Sequence, residues 1–213
     1  MKSILIAIAI TIAAGVGSVY ATTAEITLFD GTTTTVIMDN GSGDSNPAVG
    51  VIQFTGSIGV WNLTITNGFT KPFIGGATHP QMDLGFQVNS VAAGTLRITF
   101  SDFGFTFGGG ANDLFGGTTA GTVEDFIDIN GSHVAGFHLG PFGPGSFSGT
   151  TSGHITLAPA DVLGLEIDIT HTGAGFSSGD KELTTPDSGS AVALFGIALA
   201  GIEILRRKIR AAK

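Results

Sequence analysis

Between Leu163 and Thr170 every second residue is apolar, with Leu163, Leu165, Ile167 and Ile169 alternating with Gly164, Glu166, Asp168 and Thr170. In an extended chain successive side chains point to opposite faces, so this segment buries one face and wets the other. Leu96, Ile98 and Phe100 alternate in the same way with Thr95, Arg97 and Thr99. Further strands are expected over 24–29, 33–38, 49–54, 58–66, 84–91, 123–129, 133–139 and 153–158. Turn pairs separate them: Asp30-Gly31, Asn40-Gly41, Asn67-Gly68, Ala93-Gly94 and Asn130-Gly131. Of these, Asn130-Gly131 lies between two alternating runs and is the strongest two-residue hairpin signal. About ten short strands without an internal helix predict an all-β fold, an antiparallel β-sandwich of jelly-roll type, with a barrel as the alternative.

Composition narrows the function classes. Charged residues make up 12%, Gly accounts for 34 of 213 residues, and there is no Cys. The last excludes a disulfide framework, thiol catalysis and a Cys-ligated zinc. The net charge is −8, and over residues 22–185 it reaches −12, with Lys71, Arg97 and Lys181 against fifteen acids. Such a surface repels nucleic acid and anionic lipid.

The two ends read as addresses. Lys2, the apolar run Ile4 to Val16 and the sequence Val19-Tyr20-Ala21 form a secretory signal expected to be cut after Ala21. An uncleaved anchor is the alternative, but the run is shorter than the ~20 residues of a membrane span. Residues 191–205 (AVALFGIALAGIEIL) are apolar and are followed by Arg206, Arg207 and Lys208. As a helix this segment is about 22 Å long, and residues 191–202 carry no charge that could form a wet face. The basic residues snorkel and act as stop-transfer, holding the C-terminus in the cytoplasm and everything before the helix outside. The expected organisation is a signal peptide at 1–21, an extracellular β-sandwich at 22–171, a Gly/Ser-rich linker at 172–185 and a C-terminal signal at 186–213.

Pro186, Asp187, Ser188 and Gly189 stand immediately before the apolar helix. The whole segment PDSGSAVALFGIALAGIEILRRK resembles the tripartite C-terminal signal of the PEP-CTERM class of bacterial surface proteins, closest to its VPDSG variant. Thr185 replaces the usual Val, and Glu203 is an unusual acid within the helix. The resemblance implies export, handover to an exosortase-like membrane transpeptidase, cleavage at the motif and release to the cell surface or an extracellular polysaccharide matrix. Pro186 keeps Thr185 out of the helical region, so the motif is presented extended. The segments DNGSGDSNPAVGVIQFTG, KPFIGG and PQMDLGFQVNS are similar to extracellular β-rich regions of other proteins with this signal, which implies location and no mechanism.

Within the domain the chemistry is sparse. Phe100, Phe103, Phe105 and Phe107 are expected to reach one core through a bulge at Ser101-Asp102. Gly108 to Gly110 and Gly140 to Gly149 are expected to be loops. His133 and His138, five apart, fall on opposite faces of a regular strand and are not expected to share an ion. No Gly-x-Ser-x-Gly elbow is present. Glu124, Asp125, Asp128, Glu166 and Asp168 are numerous, but none is marked as an acid or a nucleophile. Calcium is the most credible small ligand, on the acidic turns 39–46 and 125–131. The expected function is therefore non-enzymatic and structural or adhesive, with no cofactor required. The alternatives are a carbohydrate-binding module for exopolysaccharide, acting near Trp61 or the Phe-rich segment, and a secreted glycoside hydrolase.

Overall fold

The computed structural model describes residues 24–186. The expected signal peptide with Ala21, and the C-terminal segment with Asp187, Ser188, Gly189, Arg206, Arg207 and Lys208, lie outside the described residues. Twelve strands and no helix make up the fold among the described residues. They are β1 (Glu25–Phe29), β2 (Thr34–Met38), β3 (Val51–Ile58), β4 (Trp61–Phe69), β5 (Gln81–Ser90) and β6 (Gly94–Phe103). The second half comprises β7 (Phe107–Thr119), β8 (Thr122–Ile129), β9 (Ser132–Phe142), β10 (Gly145–Leu157), β11 (Val162–His171) and β12 (Gly175–Thr184). Two six-stranded antiparallel sheets result, ordered β2-β1-β6-β11-β8-β9 and β10-β7-β12-β5-β4-β3. We call them the first and second sheets.

The alternating segments form the centre of the first sheet. Leu165 pairs with Phe100 and Ile127, and Ile167 with Ile98. All five side chains are at most 1% exposed and face the second sheet. There they meet Leu63, Met82, Leu84, Val88, Phe115 and Leu183, which close a single core. Phe142, Phe147 and Phe115, with ring centroids 4.9 to 6.2 Å apart, fill the edge where β9 passes into β10. The hairpin between β8 and β9 forms as expected, with Asn130 and Gly131 at φ 54° and 73°.

Several expectations are corrected. Residues 172–185 are no linker, because β12 lies in the middle of the second sheet between β7 and β5. The Gly108–Gly110 stretch belongs to β7, and most of the second glycine-rich stretch belongs to β9 and β10. Asn67-Gly68 is no turn but lies inside β4, where a Cβ on Gly68 would stand 2.6 Å from the Phe100 ring. Glycine there makes room for an aromatic ring in the core.

The expected bulge at Ser101-Asp102 is also absent, since β6 keeps an unbroken register with β11 through Phe103. Parity therefore sends Asp102 inward and Phe103 outward; Asp102 is 2% exposed and Phe103 39%. The inward acid is satisfied by Thr70 Oγ1 at 2.8 Å and Lys71 Nζ at 2.6 Å. Lys71 Nζ in turn lies 4.0 Å above the Phe105 ring, a cation–π contact.

Candidate functional sites: a sorting junction and three polar clusters

The folded domain runs directly into the expected sorting motif. β12 ends at Thr184, and Thr185, only 5% exposed, donates from Oγ1 to the Pro80 carbonyl at 3.0 Å. Pro186 follows at once. β12 is thus held on both sides by ladder bonds, and the motif starts one residue beyond a buried anchor.

β12 is held by polar groups as much as by apolar packing. Its inward positions are Ser177, Gly179, Lys181 and Leu183, all lying within the second sheet's core face. Lys181 sits between Leu84 and Phe115 in the adjacent strands and is completely buried. Its Nζ donates to Asp113 Oδ1 and Oδ2 at 3.0 and 3.1 Å and to Asp125 Oδ2 across the core. Asp113 is on β7 and Asp125 on β8, so the triad ties the two sheets together. Burial and the neighbouring Asp125 push the Asp113 carboxyl up to about 6, against the pull of Lys181. Asp125 also accepts the Leu139 N–H at 2.8 Å.

Ser177 belongs to a second buried network. Ser90 Oγ donates to the Gly173 carbonyl, so its lone pair is left for His171 Nδ1–H at 2.7 Å. His171 Nε2 shares a hydrogen bond with Ser177 Oγ at 2.7 Å, and Ser177 Oγ shares one with Thr119 Oγ1 at 2.7 Å. The network suits a neutral imidazole, and burial holds the His171 pKa below its usual value. The Trp61 ring packs 4.8 Å from His171, and its Nε1 donates to the Thr95 carbonyl. A Ser-His pair exists here without a G-x-S-x-G elbow, but Ser177 is 0% exposed and no substrate reaches it. Trp61, 1% exposed, is equally unavailable as a sugar platform.

The outer face of the first sheet carries the third cluster, laid out in rows by strand register. Phe29, Arg97, Asp168 and Glu124 form one row across β1, β6, β11 and β8; Thr99, Glu166, Phe126 and His138 form the next. Arg97 grips Asp168 through Nε and Nη2 at 2.8 and 2.9 Å and lies 3.2 Å from Glu166. The Asp168 bonds hold the guanidinium pKa well above its usual value. Burial and the charge of Asp128 raise the Glu166 pKa, with Arg97 opposing. A shallow cleft of about 280 Å³ opens along the first row, between Phe29, Arg97, Glu124 and Asp168.

His133 and His138 share this face, contrary to the regular-strand expectation. Between Phe126 paired with His138 and Asp128 paired with His133, β9 carries three more residues than β8. An odd excess reverses parity, and Gly136 at φ 87° accommodates it. The two imidazoles stack on Phe126, with centroids 3.9 and 4.5 Å away. They serve different acids: His138 meets Glu124 at 3.0 Å, and His133 meets Glu166 at 3.1 Å and Asp128 at 3.5 Å. Asp128, His133 and Glu166 present one ligand atom each within 4.8 Å, the set that could hold one metal ion.

The first turn considered for calcium uses its carboxylates internally. Asp44 accepts the N–H groups of Asn40, Asn46 and Gln53, and Asp39 accepts that of Gly50. In the second segment Asp125 points into the core and Asp128 to the outer face, so the two acids do not converge.

An all-β domain followed by a short Pro-containing motif, an apolar stretch and a basic cluster defines a protein with a C-terminal sorting signal. Family comparison identifies residues 186–209 as a VPDSG-CTERM motif, and the chain therefore carries a PEP-CTERM-type sorting signal. The match takes in Pro186, Asp187, Ser188, Gly189, Arg206, Arg207 and Lys208. This signal implies export, membrane-anchored passage toward the cell surface and processing by an exosortase-like enzyme. A search among curated proteins finds no match to the chain.

Proposed function

We propose that the domain is a non-enzymatic structural or adhesive module of the cell surface or extracellular matrix, delivered there by exosortase-type processing. The observation that carries this reading is the junction: a central strand leads through buried Thr185 straight into the sorting motif. Cleavage within 186–189 removes the anchor without taking any residue from the folded sheet. The sealed state of the Ser177–His171 pair and of Asp125 supports a role without turnover. Replacing Pro186 by Ala, or deleting Arg206 to Lys208, is expected to leave the domain folded and mis-sorted. Normal surface display of both variants would refute the sorting role.

A carbohydrate-binding role has one specific observation in its favour. The cleft beside Phe29 places an aromatic edge next to Arg97, Asp168 and Glu124, groups that can hydrogen-bond sugar hydroxyls. Calorimetric titration with host exopolysaccharide tests it: heat lost in Phe29→Ala supports the reading, and no heat with the native protein removes it.

A further inference from the structure

The buried triad has more chemistry than a salt bridge requires. A lysine amine and two carboxyl groups, all with fully buried side chains, meet in a site flanked by Leu84, Phe115 and Leu183. Lysine touches both acids, and the charge of Asp125 acts on Asp113. Three groups so arranged supply a nucleophile, an electrophile and a proton carrier, without water to compete.

We propose that Lys181 and Asp113 condense into an intramolecular amide, with Asp125 carrying the protons. In the first step the Asp125 carboxylate takes a proton from the lysine ammonium. The freed amine attacks Cγ of the protonated Asp113 carboxyl and forms the Nζ–Cγ bond. Asp125 then delivers its proton to the departing hydroxyl and takes one from nitrogen. The Cγ–O bond breaks, one water leaves, and Asp125 ends protonated beside a neutral amide. Nothing is oxidised or reduced.

The assignment of roles follows from the environments. Asp113 is the acid that burial keeps partly protonated near neutrality, and a neutral carboxyl is the better electrophile. Asp125 reaches Nζ from the facing sheet and is fixed by the Leu139 N–H, the position of a base. The driving force is the removal of buried charge, since desolvated ions are costly even when paired. The joined residues are 68 apart in sequence, so the bond would close a long loop and lock β12, the strand that leads into the sorting signal, to β7. A chain with no Cys that is exported has no disulfide available for that purpose.

The test is a peptide map of the full chain, purified from its membrane or surface fraction under denaturing conditions. A branched peptide joining the segments of Lys181 and Asp113, lighter than their sum by one water, is the expected result. Asp125→Asn should give the two linear peptides, and the purified variant should keep its β-sheet circular dichroism. Linear Lys181 and Asp113 peptides from the native protein would overturn the proposal, and a branch through Asp125 would overturn the assignment of roles. The native map decides even if the variant fails to fold.

Discussion

The interior triad and the outer-face cluster are built from the same chemistry, basic side chains among carboxylates, yet they carry different energetic weight. Lys181, Asp113 and Asp125 are sealed, with no exposed side-chain surface. Arg97, with 45% of its side chain exposed, shares its charges with water. Removing a partner inside strands an uncompensated charge in a low dielectric, whereas outside solvent replaces it. The difference teaches that in a chain with only three Lys or Arg residues between 22 and 185, location decides which of them the fold depends on.

The contrast is broken most directly by Lys181→Met, which leaves two carboxylates facing each other. Where the triad is still ionic it should cost about 3–5 kcal/mol in chemical denaturation, and adding Asp113→Leu and Asp125→Leu should recover much of the loss; where Lys181 and Asp113 are joined by an amide the loss should be larger, and the two leucines should not recover it. A loss below about 1 kcal/mol would place the triad with ordinary surface pairs. Gly117→Ala sharpens the comparison by attacking β12 without touching a charge. A Cβ there would lie 2.1 Å from the Ser178 carbonyl oxygen, so a loss of about 3 kcal/mol is expected.

The outer face of the second sheet gives a third environment, a group of acids gathered around half-buried Asp83. Burial and the neighbouring Asp180 and Glu182 push the Asp83 carboxyl up to about 7. In the unfolded chain it titrates near ~4. The folded state therefore binds the proton more tightly, and this group's contribution favours folding as pH falls from about 7 toward ~4 and opposes it as pH rises through 7. Asp83→Asn should raise stability at pH 8 by ~1 kcal/mol after allowance for solvent screening, and change it little at pH 4. An equal effect at both pH values would contradict the shift. Arg97→Met should have the smallest effect, ~0.5 kcal/mol, and lose even that in high salt.

Legibility in the sequence followed where the stabilising groups are apolar. The alternation of Leu163 to Ile169 located β11 and its buried face, and Asn130-Gly131 located a hairpin whose dihedrals the structure reproduces. β12 escaped because three of its four inward residues, Ser177, Gly179 and Lys181, carry no hydrophobic signal. Ser177 bonds Thr119 and His171, Lys181 bonds Asp113 and Asp125, and Gly179 makes room for the Phe86 ring. The pairing of His133 and His138 with Phe126 was hidden by three extra residues in β9, a register event that a period-two reading cannot detect. Asp102 was misread for the opposite reason: an inward acid looked like a break in the pattern, and Thr70 and Lys71, some thirty residues away, remove the need for one. The sorting signal was legible throughout, because its recognition rests on a local order of motif, apolar stretch and basic cluster that needs no tertiary contact.

The central claim is that a finished sandwich hands over, with one residue between, to a signal that is cut. Intact-mass measurement on the protein from membrane, surface and medium fractions of its native host tests this directly. The account predicts a surface or released species beginning near Thr22 and ending within Pro186 to Gly189, with β12 complete. A species in every fraction that still carries Arg206 to Lys213 would contradict it and leave an ordinary single-span anchor in its place.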